Sequence, residues 1–166
     1  MTKEVILGKD VQWKAFYCPC CREERYFAKS LQGKGWECTV CGHTGPCIRF
    51  EVPDLPPREL SPNARVHWAK KYEAAQGFRV LVAAQLAQCA LLKLRRARVK
   101  LTFVVPDRRR RDLDNLLTGC KPLLDELVYR GVLEDDDWTK LALEMTVMYK
   151  KGKRAILVEV CPFEER

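Results

Sequence analysis

One stretch decides the fold of this chain: Leu113-Asp-Asn-Leu-Leu-Thr-Gly-Cys-Lys-Pro-Leu-Leu-Asp-Glu-Leu-Val128. Its apolar residues recur every three or four positions, which predicts a continuous apolar stripe along a helix. Gly119 and Pro122 interrupt the stripe. We therefore predict a break there, with Pro122 in the first turn of a second helix, and we expect Gly131 to end that helix.

Segments on both sides of this stretch complete the predicted domain. Alternating and β-branched residues predict strands at 48–52 and 98–105. Residues 139–149 and 154–160 predict two further strands, joined as a hairpin around the turn at 150–153. Another helix is predicted from Ser61-Pro62-Asn63 to about Leu94, with a kink or division at Gly77 and the apolar positions Trp68, Tyr72, Ala75, Val82, Leu86 and Leu91. The sequence thus predicts an α+β fold, a small mixed β-sheet packed on two main helices.

Composition narrows the class of protein. The chain has 166 residues, of which 47% are hydrophobic, so it can form a core. Its formal net charge of +8 favours a polyanionic partner, since basic side chains neutralise phosphates. Residues 1–14 contain no apolar signal-peptide segment, and the apolar run at 80–92 is too short to cross a bilayer. We expect a cytoplasmic protein without membrane contact.

Four of the nine cysteines form two CxxC pairs separated by sixteen residues. Each pair can direct two thiolates to one ion, and two pairs complete a tetrahedral zinc site. The spacing predicts an N-terminal zinc ribbon over residues 1–47 with one structural Zn²⁺, held in a reducing compartment. The preferred ligands are Cys18, Cys21, Cys38 and Cys41, and Cys20, His43 and Cys47 are the alternatives.

Two acidic clusters carry the candidate chemistry. Asp112 and Asp114 form a DxD motif, and 134–137 is an uninterrupted acidic run. In an extended backbone a DxD motif projects both carboxylates to one side, and such oxygens suit Mg²⁺ or Mn²⁺. If the intervening helix returns the chain, both clusters meet beside the arginines at 108–111, an arrangement suited to phosphodiester hydrolysis. The alternative is structural: a helix-capping aspartate, a solvated turn and an exposed basic loop.

Three blocks resemble the RusA family of Holliday junction resolvases, which is common in phages and prophages. They are Arg108-Arg-Arg-Arg-Asp-Leu-Asp-Asn115, Lys121-Pro-Leu-Leu-Asp125 and Gly131-Val-Leu-Glu-Asp-Asp136. The segment from Phe50 to Asn63 is similar to the strand and proline-rich loop that open the family's domain. The resemblance covers roughly residues 48–160, implies a nuclease domain at 48–166, and does not include the zinc ribbon.

By position, the resemblance implies roles for particular residues. The family's metal-binding aspartates fall on Asp112, Asp114 and Asp136, with Asp135 as the alternative for the third. Its catalytic lysine falls on Lys121, seven residues after Asp114 where the commonest family spacing is four. Seven residues are nearly two helical turns, so Lys121 stays on the face of Asp114. The predicted DNA contacts are Arg108, Arg109, Arg110 and Arg111.

The resulting hypothesis is a Mg²⁺- or Mn²⁺-dependent endodeoxyribonuclease that cuts four-way junctions or related branched DNA. The resemblance also implies a homodimer, which suits symmetric cleavage. One alternative is a catalytically inactive zinc-ribbon protein that binds DNA and regulates. Another is a primase-like nucleotidyltransferase, which also combines DxD with zinc. The complete acidic set speaks against the first, and the lack of a GS or SxH motif near the DxD speaks against the second.

Overall fold

A computed structural model describes residues 11–30 and 35–163 of the chain, except for the side chains of Val11 and Ser30. The first ten residues, which carry most of the signal-peptide prediction, lie outside this description. The chain divides into two compact units between Cys47 and Ile48. No helix in the described ranges is long and apolar enough to cross a membrane.

The N-terminal unit is built on a three-stranded antiparallel sheet in the order β1-β2-β3. Its strands are β1 Val11–Cys18, β2 Glu23–Ser30 and β3 Glu37–Cys38. Phe16 and Phe27 are buried, and their rings meet edge-on at 5.9 Å between centroids. Trp36 adds a second edge-on contact to Phe16 at 5.3 Å. So few aromatic residues form a small core, which a metal would usefully reinforce.

The second unit contains a four-stranded mixed sheet in the order β4-β7-β5-β6. The strands are β4 Ile48–Val52, β5 Ala97–Val105, β6 Leu141–Tyr149 and β7 Ala155–Pro162. β5 pairs in parallel with β6 and antiparallel with β7, and β7 pairs antiparallel with β4. Together with the helices this confirms the predicted α+β class with a mixed sheet.

The predicted hairpin is wrong, although both of its strands exist. β6 and β7 lie on opposite sides of β5 and do not pair with each other. Their connection crosses the end of β5, where Lys150 N–H donates to the Val105 carbonyl at 3.0 Å and Gly152 N–H donates to the Pro106 carbonyl at 3.2 Å. β5 buries alternate residues in its first half and all of its last three residues, and it lies inside the sheet with a partner on each side. A short basic turn between two apolar strands does not reveal that a third strand will lie between them.

Within the described residues, three α-helices and one 3-10 turn, Arg58–Leu60, accompany this sheet. The helices are α1 Trp68–Leu86, α2 Leu113–Gly119 and α3 Lys121–Tyr129. The predicted break in the 113–128 stretch is confirmed, with a proline in the first turn of α3. A Cβ at Gly119 would lie 2.8 Å from Pro56 Cβ, so the absence of a side chain lets these segments approach closely.

The predicted bounds of the first long helix are wrong at both ends, and of its predicted apolar positions only Val82 and Leu86 are fully buried. α1 begins at Trp68, after the N-cap His67, and ends at Leu86 in a tightened turn, so Leu91 lies beyond it. Its buried residues are Phe78, Val82 and Leu86, while Trp68 and Tyr72 are 74% and 62% exposed. Periodicity identifies one side of a helix but does not show how far the core reaches along it. Gly77 lies inside an uninterrupted helix.

Candidate active site

The DxD motif lies at the start of α2 and not on a strand, so the expected extended geometry is wrong. Asp112 is the N-cap residue, with an extended backbone (φ −82°, ψ 128°), and Asp114 belongs to the first helical turn. β5 ends at Val105, and a loop that contains the four arginines then leads into α2. A helix N-terminus favours negative charge, so both aspartates lie where carboxylates are electrostatically stabilised.

The Asp112 carboxylate does not cap the helix. It makes no hydrogen bond to the backbone N–H groups of α2. Instead its Oδ2 accepts from Asn115 Nδ2 at 3.5 Å, and Asn115 Oδ1 accepts from Ser61 Oγ at 3.4 Å and Asn63 Nδ2 at 3.5 Å. The structural interpretation of Asp112 as an ordinary cap thus loses its main support. The Ser61–Asn63 loop is joined to the DxD helix through Asn115.

Lys121 begins α3 and points at the second acidic cluster. Its Nζ forms an ion pair with Asp136 and a second one with Asp125 at 2.9 Å. Hydrogen bonds from Lys121 to Asp136 and Asp125 raise the pKa of its ammonium group. Lys121 therefore remains a cation at neutral pH. After α3 the chain turns back, so that Asp136 contacts the helix pair α2 and α3 that follows the DxD motif.

Members of the 134–137 run have different local roles. Glu134 binds Lys140 Nζ at 2.8 Å, and this hydrogen bond lowers its pKa. Asp135 accepts the backbone N–H of Asp136 at 2.8 Å, and Asp137 accepts the Thr139 N–H at 2.6 Å. Only Asp136 of the run pairs with Lys121. The geometry thus favours Asp136 over Asp135 as the residue that acts with Lys121.

The three aspartates are not preassembled into a metal cage. Among the described residues, the only group of three or more potential metal ligands with donor atoms all within 4.8 Å of one another is a set of cysteines. Asp112 and Asp114 are exposed and Asp136 is partly buried. Carboxylates repel one another without a cation, so their separation is the electrostatically favoured arrangement. Their hard oxygen donors fit Mg²⁺ or Mn²⁺, and rotation of exposed side chains is available to bring them together.

The four arginines before the DxD motif are not equivalent. The Arg108 guanidinium stacks over the Tyr149 ring at 5.0 Å. Arg111 donates to Asp107 at 2.8 Å, and hydrogen bonds from the Arg111 side chain and the Arg109 backbone lower the pKa of Asp107 to about 2. Arg110 is exposed. The run is therefore an ordered loop in which one charge is offset by Asp107.

A cleft of about 620 Å³ opens beside Asp112. Arg110 and Arg111 line this cleft, and Arg58 and Arg154 contribute further positive charge. Arg154 is held by Asp54 at 2.6 Å. A basic cleft that reaches a candidate metal ligand has the charge needed to hold a phosphate backbone.

The cysteine cluster of the N-terminal unit consists of Cys18, Cys21, Cys38 and Cys41, whose sulfur atoms lie within 4.8 Å of one another. Within the described ranges Cys20, His43 and Cys47 are not part of it. Four thiolates at this separation fit a tetrahedral zinc ion, since Zn–S bonds are about 2.3 Å long. Such a site leaves no position for a catalytic water.

The two CxxC turns have matching backbones. The residue after each pair adopts a left-handed conformation, Arg22 at φ 58° and Gly42 at φ 71°. In each turn this residue donates its N–H to the carbonyl of the first cysteine, at 2.8 Å for Arg22 and 2.9 Å for Gly42. Both pairs thus end in the same tight turn. Burial raises the pKa of the Cys38 thiol, but backbone hydrogen bonds from Cys41 and Val40 outweigh burial and lower it to about 7. Burial raises the pKa of Cys18, and the neighbouring Cys41 thiol raises that of Cys21 to about 12, so a bound cation would be needed to hold all four cysteines as thiolates.

Sequence reasoning missed several residues around the site. The junction of Asn115 with the Ser61–Asn63 loop depends on contacts between distant parts of the chain. Buried Glu126 accepts two hydrogen bonds from Arg79, at 3.1 and 3.2 Å, and one from Arg130 at 2.8 Å, and so ties α3 to α1. Its place inside an apolar stripe was the available signal, because a buried carboxylate requires a partner.

Comparison with known proteins identifies related nucleases. The chain is 55% identical over 42 residues to a crossover junction endodeoxyribonuclease RusA of Enterobacteria phage HK97, which covers 25% of this chain and 32% of that protein. It is 35% identical over 68 residues to the crossover junction endodeoxyribonuclease RusA of Aquifex aeolicus, which covers 40% of this chain and 49% of that protein. The matched segments thus span less than half of either relative's length. No family model matches the chain.

These two matches confirm the predicted resemblance to the RusA family. Both relatives are named for an enzyme that cuts crossover junctions in DNA. Neither name mentions zinc, so the zinc ribbon depends on the cysteine geometry.

Proposed function

We propose that this protein is a metal-dependent endonuclease that hydrolyses phosphodiester bonds in four-way or related branched DNA. The observation that carries the proposal is the ion pair between Lys121 and Asp136. This ion pair brings the second acidic cluster to the helices α2 and α3, which begin at the DxD motif. The family resemblance requires the two acidic clusters to lie close together. The two RusA relatives support the same activity.

Asp112, Asp114 and Asp136 would hold Mg²⁺ or Mn²⁺. When bound, the cation activates a water molecule and offsets charge on the phosphate. Lys121 would exchange its carboxylate partners for a phosphate oxygen, and its raised pKa keeps it charged for that role. Asn115 would orient Asp112, since it holds one carboxylate oxygen and leaves the other open.

The basic cleft would position the DNA backbone. Arg110 and Arg111 line it next to Asp112, so a phosphate there would lie beside the metal ligands. Contacts of this kind fix the register of DNA without reading its sequence. A homodimer would place two such sites about a two-fold axis, as paired cuts in a four-way junction require.

The N-terminal unit would be a zinc ribbon with one structural Zn²⁺ bound by its four clustered cysteines. Its thiolates and the proposed DNA substrate both suit a cytoplasmic location. The division between Cys47 and Ile48 would then separate the zinc ribbon from a nuclease domain at 48–166.

The test is nicking of an end-labelled four-way junction by the full chain, with and without added Mg²⁺. We expect symmetric nicks that require Mg²⁺, and we expect Asp114→Asn to abolish them. Junction binding should survive in this variant or strengthen, because a negative charge near phosphate is removed. Glu73→Gln, an exposed carboxylate on α1, is the matched control and should cut normally.

Three outcomes would contradict the proposal. Full cleavage by the Asp114→Asn variant would remove Asp114 from the site. Binding without cleavage by the wild type would favour the inactive DNA-binding protein. Primer extension with nucleoside triphosphates, in place of nicking, would favour the nucleotidyltransferase.

A further inference from the structure

Trp138 is the most exposed of the large apolar side chains that the structure describes, at 88%. It lies two residues after Asp136, the carboxylate that pairs with Lys121. A single exposed apolar side chain is ordinary on a protein surface. An indole nevertheless offers a large flat contact area, and this one lies beside a candidate metal ligand, where a bound substrate can reach it.

Trp138 lies in a loop, defined here as residues 134–140, that is anchored at both ends. At one end Glu134 N–H donates to the Leu94 carbonyl at 3.3 Å, and at the other Ala97 N–H donates to the Lys140 carbonyl at 2.8 Å. The Lys140–Glu134 ion pair at 2.8 Å closes the base of the loop.

Inside the 134–140 loop, Asp137 organises the turn that carries Trp138. Its side chain accepts the Thr139 N–H at 2.6 Å, and its carbonyl accepts the N–H groups of Lys140 at 3.1 Å and Leu141 at 2.9 Å. The tryptophan is thus presented on an ordered turn. Little conformational entropy would be lost on binding, which favours affinity.

A basic segment runs along the base of the same loop. Both anchoring hydrogen bonds go to the chain between Leu94 and Ala97, and the neighbouring Lys93 and Arg95 are exposed. Asp135 and Asp137 precede Trp138 in the chain and are exposed too. Phosphates are therefore attracted to the side of Lys93 and Arg95, while the acidic residues that precede the ring favour an uncharged flat group as its ligand.

We propose that Trp138 stacks on an unpaired nucleobase at the branch point of the DNA, with Lys93 and Arg95 contacting the adjoining phosphates. This inference depends on the proposed function, since it names how the same site distinguishes branched from linear DNA. A nucleobase combines the two features that the surface requires, a flat uncharged ring and a nearby negative phosphate. Every base has a π-face, so stacking selects an unpaired base without selecting a sequence.

The test compares binding of the full chain to a four-way junction and to a linear duplex made from one of its arms. Neither added Mg²⁺ nor chelator is present, so the DNA is not cut and zinc is not stripped. Stacking contributes about 1–3 kcal/mol per base, so Trp138→Ala should weaken junction binding by about 5-fold to about 140-fold. Linear duplex binding should not change, and Trp138→Phe should retain most of the junction affinity.

Trp68→Ala is the matched control, because Trp68 is a similarly exposed tryptophan of the same unit, at 74%. It should leave junction binding unchanged. As a direct readout, 2-aminopurine placed at the branch point should be quenched on binding by the wild type but not by Trp138→Ala. Thermal unfolding and sedimentation of the two alanine variants should match the wild type.

The proposal is overturned if Trp138→Ala binds the junction as the wild type does, or if it loses the same affinity for linear duplex. It is also overturned if Trp68→Ala causes an equal loss, or if Trp138→Ala changes the oligomeric state, which would show that a second copy covers the ring. Each of these results leaves nicking by the wild type intact. Failure of the proposed function appears differently, as a wild type that neither prefers nor cuts branched DNA, and then both proposals fall.

Discussion

The arginines at 110 and 111 should control how strongly DNA binding depends on salt, but unequally. Each phosphate that a protein neutralises contributes about 0.9 to the slope of log affinity against log salt concentration. Arg110 is exposed in the basic cleft, so Arg110→Ala should flatten the slope by about 0.9. Between 50 and 200 mM salt, the variant should therefore lose about 3.5-fold less affinity than the wild type.

Arg111 should contribute less than a full contact. Asp107 lies 2.8 Å from its guanidinium and, with a pKa of about 2, is ionised at neutral pH. Their charges offset each other, so the Arg110→Ala, Arg111→Ala double variant should flatten the slope by between about 0.9 and about 1.8. Equality with the single variant would mean that Arg111 acts only within its loop.

The assay is junction affinity by fluorescence anisotropy at several salt concentrations, with the wild type and both variants in parallel. Lys100→Ala is the matched control, because Lys100 is exposed on β5 outside the cleft, and its line should run parallel to the wild type. Parallel lines for Arg110→Ala as well would show that this arginine does not meet phosphate. The placement of DNA along the cleft would then be refuted.

Three other predictions concern zinc, stability and pH. Cys38→Ser should lose the single zinc ion and unfold the N-terminal unit. Cys20 is exposed and lies outside the cluster, so Cys20→Ser should retain the zinc ion. Elemental analysis that finds no zinc in the wild type would refute the site. Glu126→Gln should reduce the free energy of unfolding by about 1–3 kcal/mol, because the hydrogen bonds from Arg79 and Arg130 lose their charged acceptor. Both arginines stay partly in water, which limits the loss. An unchanged midpoint in urea melts would contradict this prediction. The pKa of Lys121 is raised in the folded protein, so its pairing with Asp136 stabilises the fold fully below the ordinary lysine pKa of 10.5 and is lost only as pH rises through the higher folded value. The difference in unfolding free energy between the wild type and Lys121→Gln should therefore stay constant from about pH 6 to about pH 9. A difference that shrinks within that window would show that the pair is absent.

Sequence predicted the features that depend on local patterns. Helical spacing and the Gly119 and Pro122 signals located α2 and α3, and alternation located the strands of the mixed sheet. The CxxC spacing identified a set of four cysteines that the fold does bring together. These features depend on residues close in the chain or on short repeated motifs.

Features that depend on distant contacts were not predictable in the same way. β5 lies between β6 and β7 because it pairs with both of them over its length, and short-range patterns do not show which distant strands will pair. The first half of α1 carries apolar residues that stay exposed, because the core does not extend beneath them. The DxD motif was treated as extended backbone, although the apolar stripe that begins at Leu113 already indicated a helix that starts between the two aspartates.

The parallel pairing of β5 with β6 has a consequence for how such proteins diversify. All four proposed catalytic residues lie in the single crossover that leaves β5 at Val105 and returns to β6 at Leu141, and its ends are fixed by the pairing of Ala97 with Leu141 and Val105 with Tyr149. A genetic exchange with breakpoints in these two strands would transfer the whole catalytic segment as one cassette and leave the register of the sheet unchanged. One scaffold can therefore carry different crossovers, provided that each keeps a small residue where Gly119 meets Pro56.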